Sequence, residues 1–148
     1  MDYQCIKFER PEKHIALITL DRPSRLNAIN AQALAELHAA VGAIEADDDI
    51  RVYVITGSPR SDGRPCFSAG ADLKERENRP PTFGLEANDL LNKIEDMLKP
   101  SIAAIDGVCT GGGIELAMAC DLRVVAETAE VSDLHLKNLG HGLGGWGA

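Results

Sequence analysis

Gly107-Val-Cys-Thr-Gly-Gly-Gly-Ile-Glu-Leu-Ala117 reads as a junction between a strand and a helix. The apolar run Ser101–Ile105 precedes it, the small-residue run Ile114–Cys120 completes it, and Leu122–Ala126 follows. Strand, helix and strand in that order need a crossover connection, so the sheet they build is mainly parallel. Three successive glycines let the backbone approach a ligand closely. The free N–H groups that open the following helix, at its positive dipole end, favour a developing negative charge. Glu115 follows Gly112 by three positions and falls on the same side of the first turn. An oxyanion donor and a carboxylate base would then share one pocket. The same residues also fit glycines that serve only tight helix–sheet packing, with Glu115 favouring the dipole. The pattern alone does not choose between the two.

Outward from this junction the alternation continues. Leu90, Leu91, Ile94, Met97 and Leu98 carry a helix over about Leu85–Leu98 that Pro100 stops. Val52–Thr56 is a buried strand, followed by a long loop through Gly57, Pro59, Gly63 and Pro65. Leu34, Leu37, Val41 and Ile44 recur at spacings of three and four, an amphipathic helix of about four turns with Asn30 as its N-cap. The run Asp47–Asp49 after it is a solvated loop. Residues 5–10 and 14–20, rich in Ile and Thr, form a hairpin with its turn at Pro11-Glu12-Lys13. A second strand-to-helix loop, Cys66-Phe-Ser-Ala-Gly-Ala-Asp-Leu-Lys74, offers another backbone N–H at Ala71, although the same residues also read as a helix N-capped at Asp72.

Composition narrows the classes. The 148 residues, 45% hydrophobic and 26% charged, suit one folded domain over residues 1–148 that buries roughly 70% of its unfolded surface. With 23 acidic against 15 basic residues the formal net charge is −8, which argues against a nucleic-acid partner. No apolar stretch approaches the roughly 20 residues that span a bilayer, and no charged-then-apolar leader opens the chain. A cytoplasmic protein is the expectation. Cys5, Cys66, Cys109 and Cys120 share no CxxC spacing and read as buried thiols. Gly142-x-Gly144-x-x-Gly147 fits the dinucleotide-binding expression but lacks the preceding βαβ start. Asp133, His135 and His141 have no metal-ligand spacing, and neither a GxSxG elbow nor a P-loop is present.

Three segments in order give the chain its likeness to known proteins: LDRPSRLNA at 20–28, VITG at 54–57 followed by FSAGADLK at 67–74, and KPSIAAIDGVCTGGGIELAMACDLR at 99–123. The chain resembles the crotonase, or enoyl-CoA hydratase/isomerase, superfamily from about residue 5 to its last residue. The resemblance implies an α/β, crotonase-like fold of repeated ββα units, a mainly parallel sheet flanked by helices. Family members continue into C-terminal helices that this sequence lacks, and they assemble as homotrimers or hexamers.

The resemblance also implies an acyl-CoA thioester as substrate, with coenzyme A entering as part of that substrate and no separate cofactor or metal. The thioester carbonyl would lie between the N–H groups of Ala71 and Gly112, which would stabilise an enolate. Arg25, Ala28, Ala69, Asp72, Leu73 and Gly111 would line the path of the substrate. Glu115 matches the first catalytic glutamate of family hydratases, and enoyl-CoA hydration is the leading reaction. His135 stands where the second glutamate belongs, in Val131-Ser-Asp-Leu-His-Leu136. An imidazole titrates near neutral pH and can serve as acid or base. That departure leaves isomerase, thioester hydrolase, decarboxylase or C–C hydrolase chemistry as the alternative within the fold. A truncated chain that binds CoA esters without turning them over is the alternative outside catalysis.

Overall fold

The structure, a computed structural model, describes residues 2–133. β1 (Ile6–Glu12) and β2 (Ile15–Leu20) form the expected antiparallel hairpin. Its turn falls later than Pro11-Glu12-Lys13: β1 continues through Glu12, and Lys13 and His14 reverse the chain, His14 at φ 67°. Pro11, with no N–H to give, is accommodated because β1 is an edge strand and its pairing is irregular between Glu9 and Glu12. Asn30 caps α1 (Ala31–Ala46) by accepting the Ala33 N–H at 2.9 Å, and Leu34, Leu37, Val41 and Ile44 are all buried. No glycine ends this helix. The Lys99 ammonium takes that place, donating to the carbonyls of Ile44, Glu45 and Asp47 at 2.6, 3.2 and 2.7 Å.

The chain continues through β3 (Val52–Gly57), β4 (Cys66–Ser68), a 3₁₀ segment at Leu73–Asn78, and α2 (Phe83–Glu95). β5 (Ser101–Ile105), β6 (Val108–Thr110), α3 (Gly112–Ala119), β7 (Leu122–Val125) and β8 (Glu130–Ser132) complete it. Helix α2 begins and ends earlier than the apolar spacing predicts. Pro100 disfavours the α conformation at Lys99 and has no N–H to give a helix, and Leu98, left beyond the helix, is 99% exposed. The glycine-rich turn expected over residues 107–113 holds a strand of its own, β6. The helix expected at Asp72 is the 3₁₀ segment, with the Asp72 carboxylate accepting the Lys74 N–H at 3.1 Å.

The expected ββα repeat is visible in the element order. β1-β2-α1, β3-β4-α2 and β5-β6-α3 follow one another, and β7-β8 begins the same pattern again. The strands sort into two sheets. One has the order β1-β2-β3-β5-β7, every pair after the hairpin being parallel; the other is the parallel β4-β6-β8. Alternate residues of β2, β3 and β5 are buried, among them Ile18, Leu20, Tyr53, Ile55 and Ala103. They join Leu34, Leu37, Ile44, Ile94, Phe67 and Leu116 in a single core. All four cysteines are free and buried, and burial pushes the Cys66 thiol up to about 11 and that of Cys109 to about 12. Among the described residues no helix is long and apolar enough to cross a membrane. The small sheet positions the site, because β4 and β6 run parallel and leave at the same end into the two loops of interest.

Candidate active site

Two turns meet where the small sheet ends. The first runs from β4 through Ala69, Gly70 and Ala71 to Asp72; the second runs from β6 through Gly111 into α3. Gly70 has φ +83°, and a Cβ on it would lie 2.5 Å from the Gly112 nitrogen and 2.8 Å from the Thr110 carbonyl oxygen. Only glycine permits both the conformation and the contact. Gly113 sits equally close to β4, since a Cβ there would meet the Ser68 carbonyl oxygen at 2.6 Å. The glycines therefore do serve close packing of α3 on the small sheet. That same packing sets the Ala71 and Gly112 peptides beside one another.

The N–H groups of both peptides are available. On the first turn the Gly70 carbonyl accepts the Ile29 N–H at 2.7 Å and the Asp72 N–H reaches the Ile29 carbonyl at 2.9 Å, so the bridge to Ile29 leaves out the Ala71 N–H. On the second, the N–H groups of Ile114 and Glu115 turn back to the Gly111 carbonyl, and that of Gly112, first in the helix, has no acceptor among the described residues. Glu115 lies in the first turn of α3 and is only 2% exposed. Two open donors, one on the turn after β4 and one at the N-terminus of α3, with a buried carboxylate in that helix's first turn, can stabilise an oxyanion and move a proton.

The structure also brings together the residues expected along the substrate path. Segment 25–29 runs beside segment 69–73, laced by the bonds at Ile29 and by the Ala69 N–H on the Leu26 carbonyl at 2.9 Å. Arg25 and Leu73 are exposed, Ala69 is half-buried, and Ala28 and Asp72 are buried. The Asp72 carboxylate faces inward, toward Arg22 Nη1 at 2.9 Å. Burial alone would raise its pKa, but the Arg22 guanidinium and the Lys74 N–H hold it below the usual range. Arg22 also reaches Glu75 at 3.1 Å and the Ala28 carbonyl, and Glu75 takes the Asn30 amide at 3.0 and 3.1 Å. His135 lies outside the described residues, as does His141.

Three polar residues of the quoted segments have structural roles that the chain reading leaves unassigned. Arg22 ties the two segments as just described. Asn27, 1% exposed and at φ 51°, donates to the carbonyls of Ser58 and Cys66 at 2.8 and 2.9 Å and accepts the Arg22 N–H at 3.0 Å. Ser68 bonds to Asn27 and Gly70. The available signal is polar side chains inside apolar, turn-flanked segments, but it names no partner, because the partners are up to 53 positions away. Two open hollows, of about 180 and 290 Å³, share Arg60 in their linings, and neither is lined by Ala71, Gly112 or Glu115.

Comparison with known proteins agrees with this fold. The family described as Enoyl-CoA hydratase/isomerase matches residues 10–147. The crotonyl-CoA hydratase of Syntrophomonas wolfei is 39% identical over 134 residues, 88% of this chain and 50% of that protein. The short-chain-enoyl-CoA hydratase of Clostridium acetobutylicum is 36% identical over 122 residues, covering 80% and 45% respectively. Among solved structures, an enoyl-CoA hydratase from Bacillus anthracis superposes with a TM-score of 0.83 at 31% identity, over 92% of this chain and 53% of that one. The chain spans about half the length of the curated relatives it matches. With its repeated ββα units and a family match over nearly its whole length, the chain belongs to the enoyl-CoA hydratase/isomerase family.

Proposed function

We propose that this site binds an acyl-CoA thioester and catalyses hydration of an enoyl-CoA. The thioester carbonyl oxygen accepts the N–H groups of Ala71 and Gly112. As the water oxygen bonds to Cβ, the π pair of the C=C bond moves toward the carbonyl and gives an enolate, whose negative oxygen those donors stabilise. Glu115 takes the proton that the water gives up. A proton then reaches Cα and restores the carbonyl, and His135 is the candidate for that second transfer. Arg25, Ala28, Ala69, Asp72, Leu73 and Gly111 border the rest of the thioester. The observation that carries this reading is the contact of Gly70 with the Gly112 nitrogen, which sets two open N–H groups next to a buried carboxylate.

The test is Glu115→Gln. It keeps the shape of the side chain and removes the base, so turnover of a short enoyl-CoA falls by about 10²–10⁴ while thioester binding stays near the parent's. Equal turnover in variant and parent overturns the assignment. The same donors would equally serve isomerisation, thioester hydrolysis or decarboxylation, since each passes through a charge on the thioester oxygen. Analysis of the products from several acyl-CoA substrates separates these reactions.

A further inference from the structure

We propose that Ser68 is the positioning residue that sets the spacing and direction of the Ala71 and Gly112 donors; this deepens the oxyanion reading and rests on it. Ser68 closes β4 and is fully buried. Its hydroxyl has a single proton, which it donates to the Asn27 carbonyl at 2.9 Å. That leaves the oxygen lone pairs for the Gly70 N–H, which they accept at 3.0 Å. The hydroxyl is thus a relay between a fixed point and the donor turn. The fixed point is rigid because the Asn27 side chain is itself held by the carbonyls of Ser58 and Cys66.

Ser68 also sets the other side of the pair. A Cβ on Gly113 would lie 2.6 Å from the Ser68 carbonyl oxygen and 3.0 Å from its Cβ, so the first turn of α3 rests directly on this residue. One small residue therefore holds the Ala69–Gly70 peptide by a hydrogen bond and the Gly112–Gly113 turn by contact. Alanine keeps the contact but leaves the Gly70 N–H and the Asn27 carbonyl without a partner in a site closed to water. The Ala69–Gly70 peptide then loses its tether, and the next peptide, which carries the Ala71 N–H, is held only by the Ile29 N–H on the Gly70 carbonyl, so that donor's direction shifts. Oxyanion donors lose much of their effect when displaced by a fraction of an ångström to an ångström.

The experiment uses butyryl-CoA labelled with ¹³C at the thioester carbonyl and compares its carbonyl infrared stretch free in solution and bound. The bound parent shows a shift to lower frequency, the sign of polarisation by the donors. Ser68→Ala loses half of that shift or more with affinity changed by less than about tenfold, and enoyl-CoA turnover falls by about ten- to a hundredfold in kcat rather than KM. A merely structural role would lower the melting temperature and the bound fraction but leave the shift of each bound molecule unchanged. Ser68→Cys, close in size and a poorer hydrogen-bonding group, gives an intermediate shift and carries the test if the alanine variant does not fold. The full parental shift in the variants overturns the role of Ser68 and leaves the oxyanion reading standing. A parent that does not bind butyryl-CoA, or binds it with no shift, overturns that reading and this inference with it.

Discussion

Gly70 concentrates the demands of the site on one residue. Its φ of +83° lies in the left-handed region, and the space where a Cβ would go is taken by the backbone of Thr110 and Gly112. Backbone cannot step aside as the end of a flexible side chain can. Gly70→Ala must therefore force the two turns apart, and the strained conformation adds about 1–3 kcal/mol to that displacement. The expected result is a folded or partly folded protein that no longer polarises a bound thioester carbonyl; a variant with the parental shift and parental melting temperature contradicts the contact. Asn27 shows the opposite solution. It also holds a positive φ, but its side chain repays the strain with four hydrogen bonds to Ser58, Cys66 and Arg22, which glycine could not make.

At the scale of elements, what joins α1 to the first strand is a buried carboxylate. Glu36, 6% exposed, accepts the N–H groups of Gln4, Cys5 and Ile6 at 2.8–3.2 Å and the Gln32 amide at 2.7 Å. Three consecutive backbone donors on one carboxylate make a charge-assisted anchor for the start of β1. Glu36→Gln keeps the volume and removes the charge, so it costs about 2 kcal/mol, read as a lowered urea midpoint with an unchanged slope. An unchanged midpoint would show that the anchor adds nothing net. Neither this anchor nor the Lys99 cap on α1 was legible in the sequence, whereas α1 itself was. Spacings of three and four among Leu34, Leu37, Val41 and Ile44 announce a helix, since periodicity is local. Glu36 and Cys5 are 31 positions apart, and Lys99 and Ile44 are 55 apart. The small sheet escaped for a related reason: strands of three residues such as β4 and β6 are too short to show alternation. For the site, the glycine turns and Glu115 could be read directly, but the residues that hold those turns in place could not.

Across the whole molecule the same chemistry recurs, and it makes the fold acid-sensitive. Glu36, Asp72 and Asp21 each lose hydration on burial, which alone would raise their pKa values; hydrogen bonds from Gln32 and backbone N–H groups, from Arg22, and from Lys7 respectively hold all three below normal. Asp121 is lowered chiefly by the Ser101 N–H and hydroxyl, which tie the start of β5 to the end of α3. These carboxylates bind protons more weakly folded than unfolded, so the unfolded chain takes up more protons as acid is added. Their contribution is complete above the ordinary values of 4.5 for Glu36 and 3.8 for the aspartates, and is lost as pH falls through the lower folded values. Four groups scattered over β1–α1, the site turns and the β5–β7 edge act in parallel, so no single segment should melt first. Melting temperatures measured from about pH 7 down to about pH 3 are expected to stay level to about pH 5 and then fall steadily. In Glu36→Gln the fall should be shallower, because one of the titrating anchors has gone. A melting temperature that stays flat to pH 3, or a variant curve parallel to the parent's, would mean that these carboxylates are no better placed in the folded chain than in water.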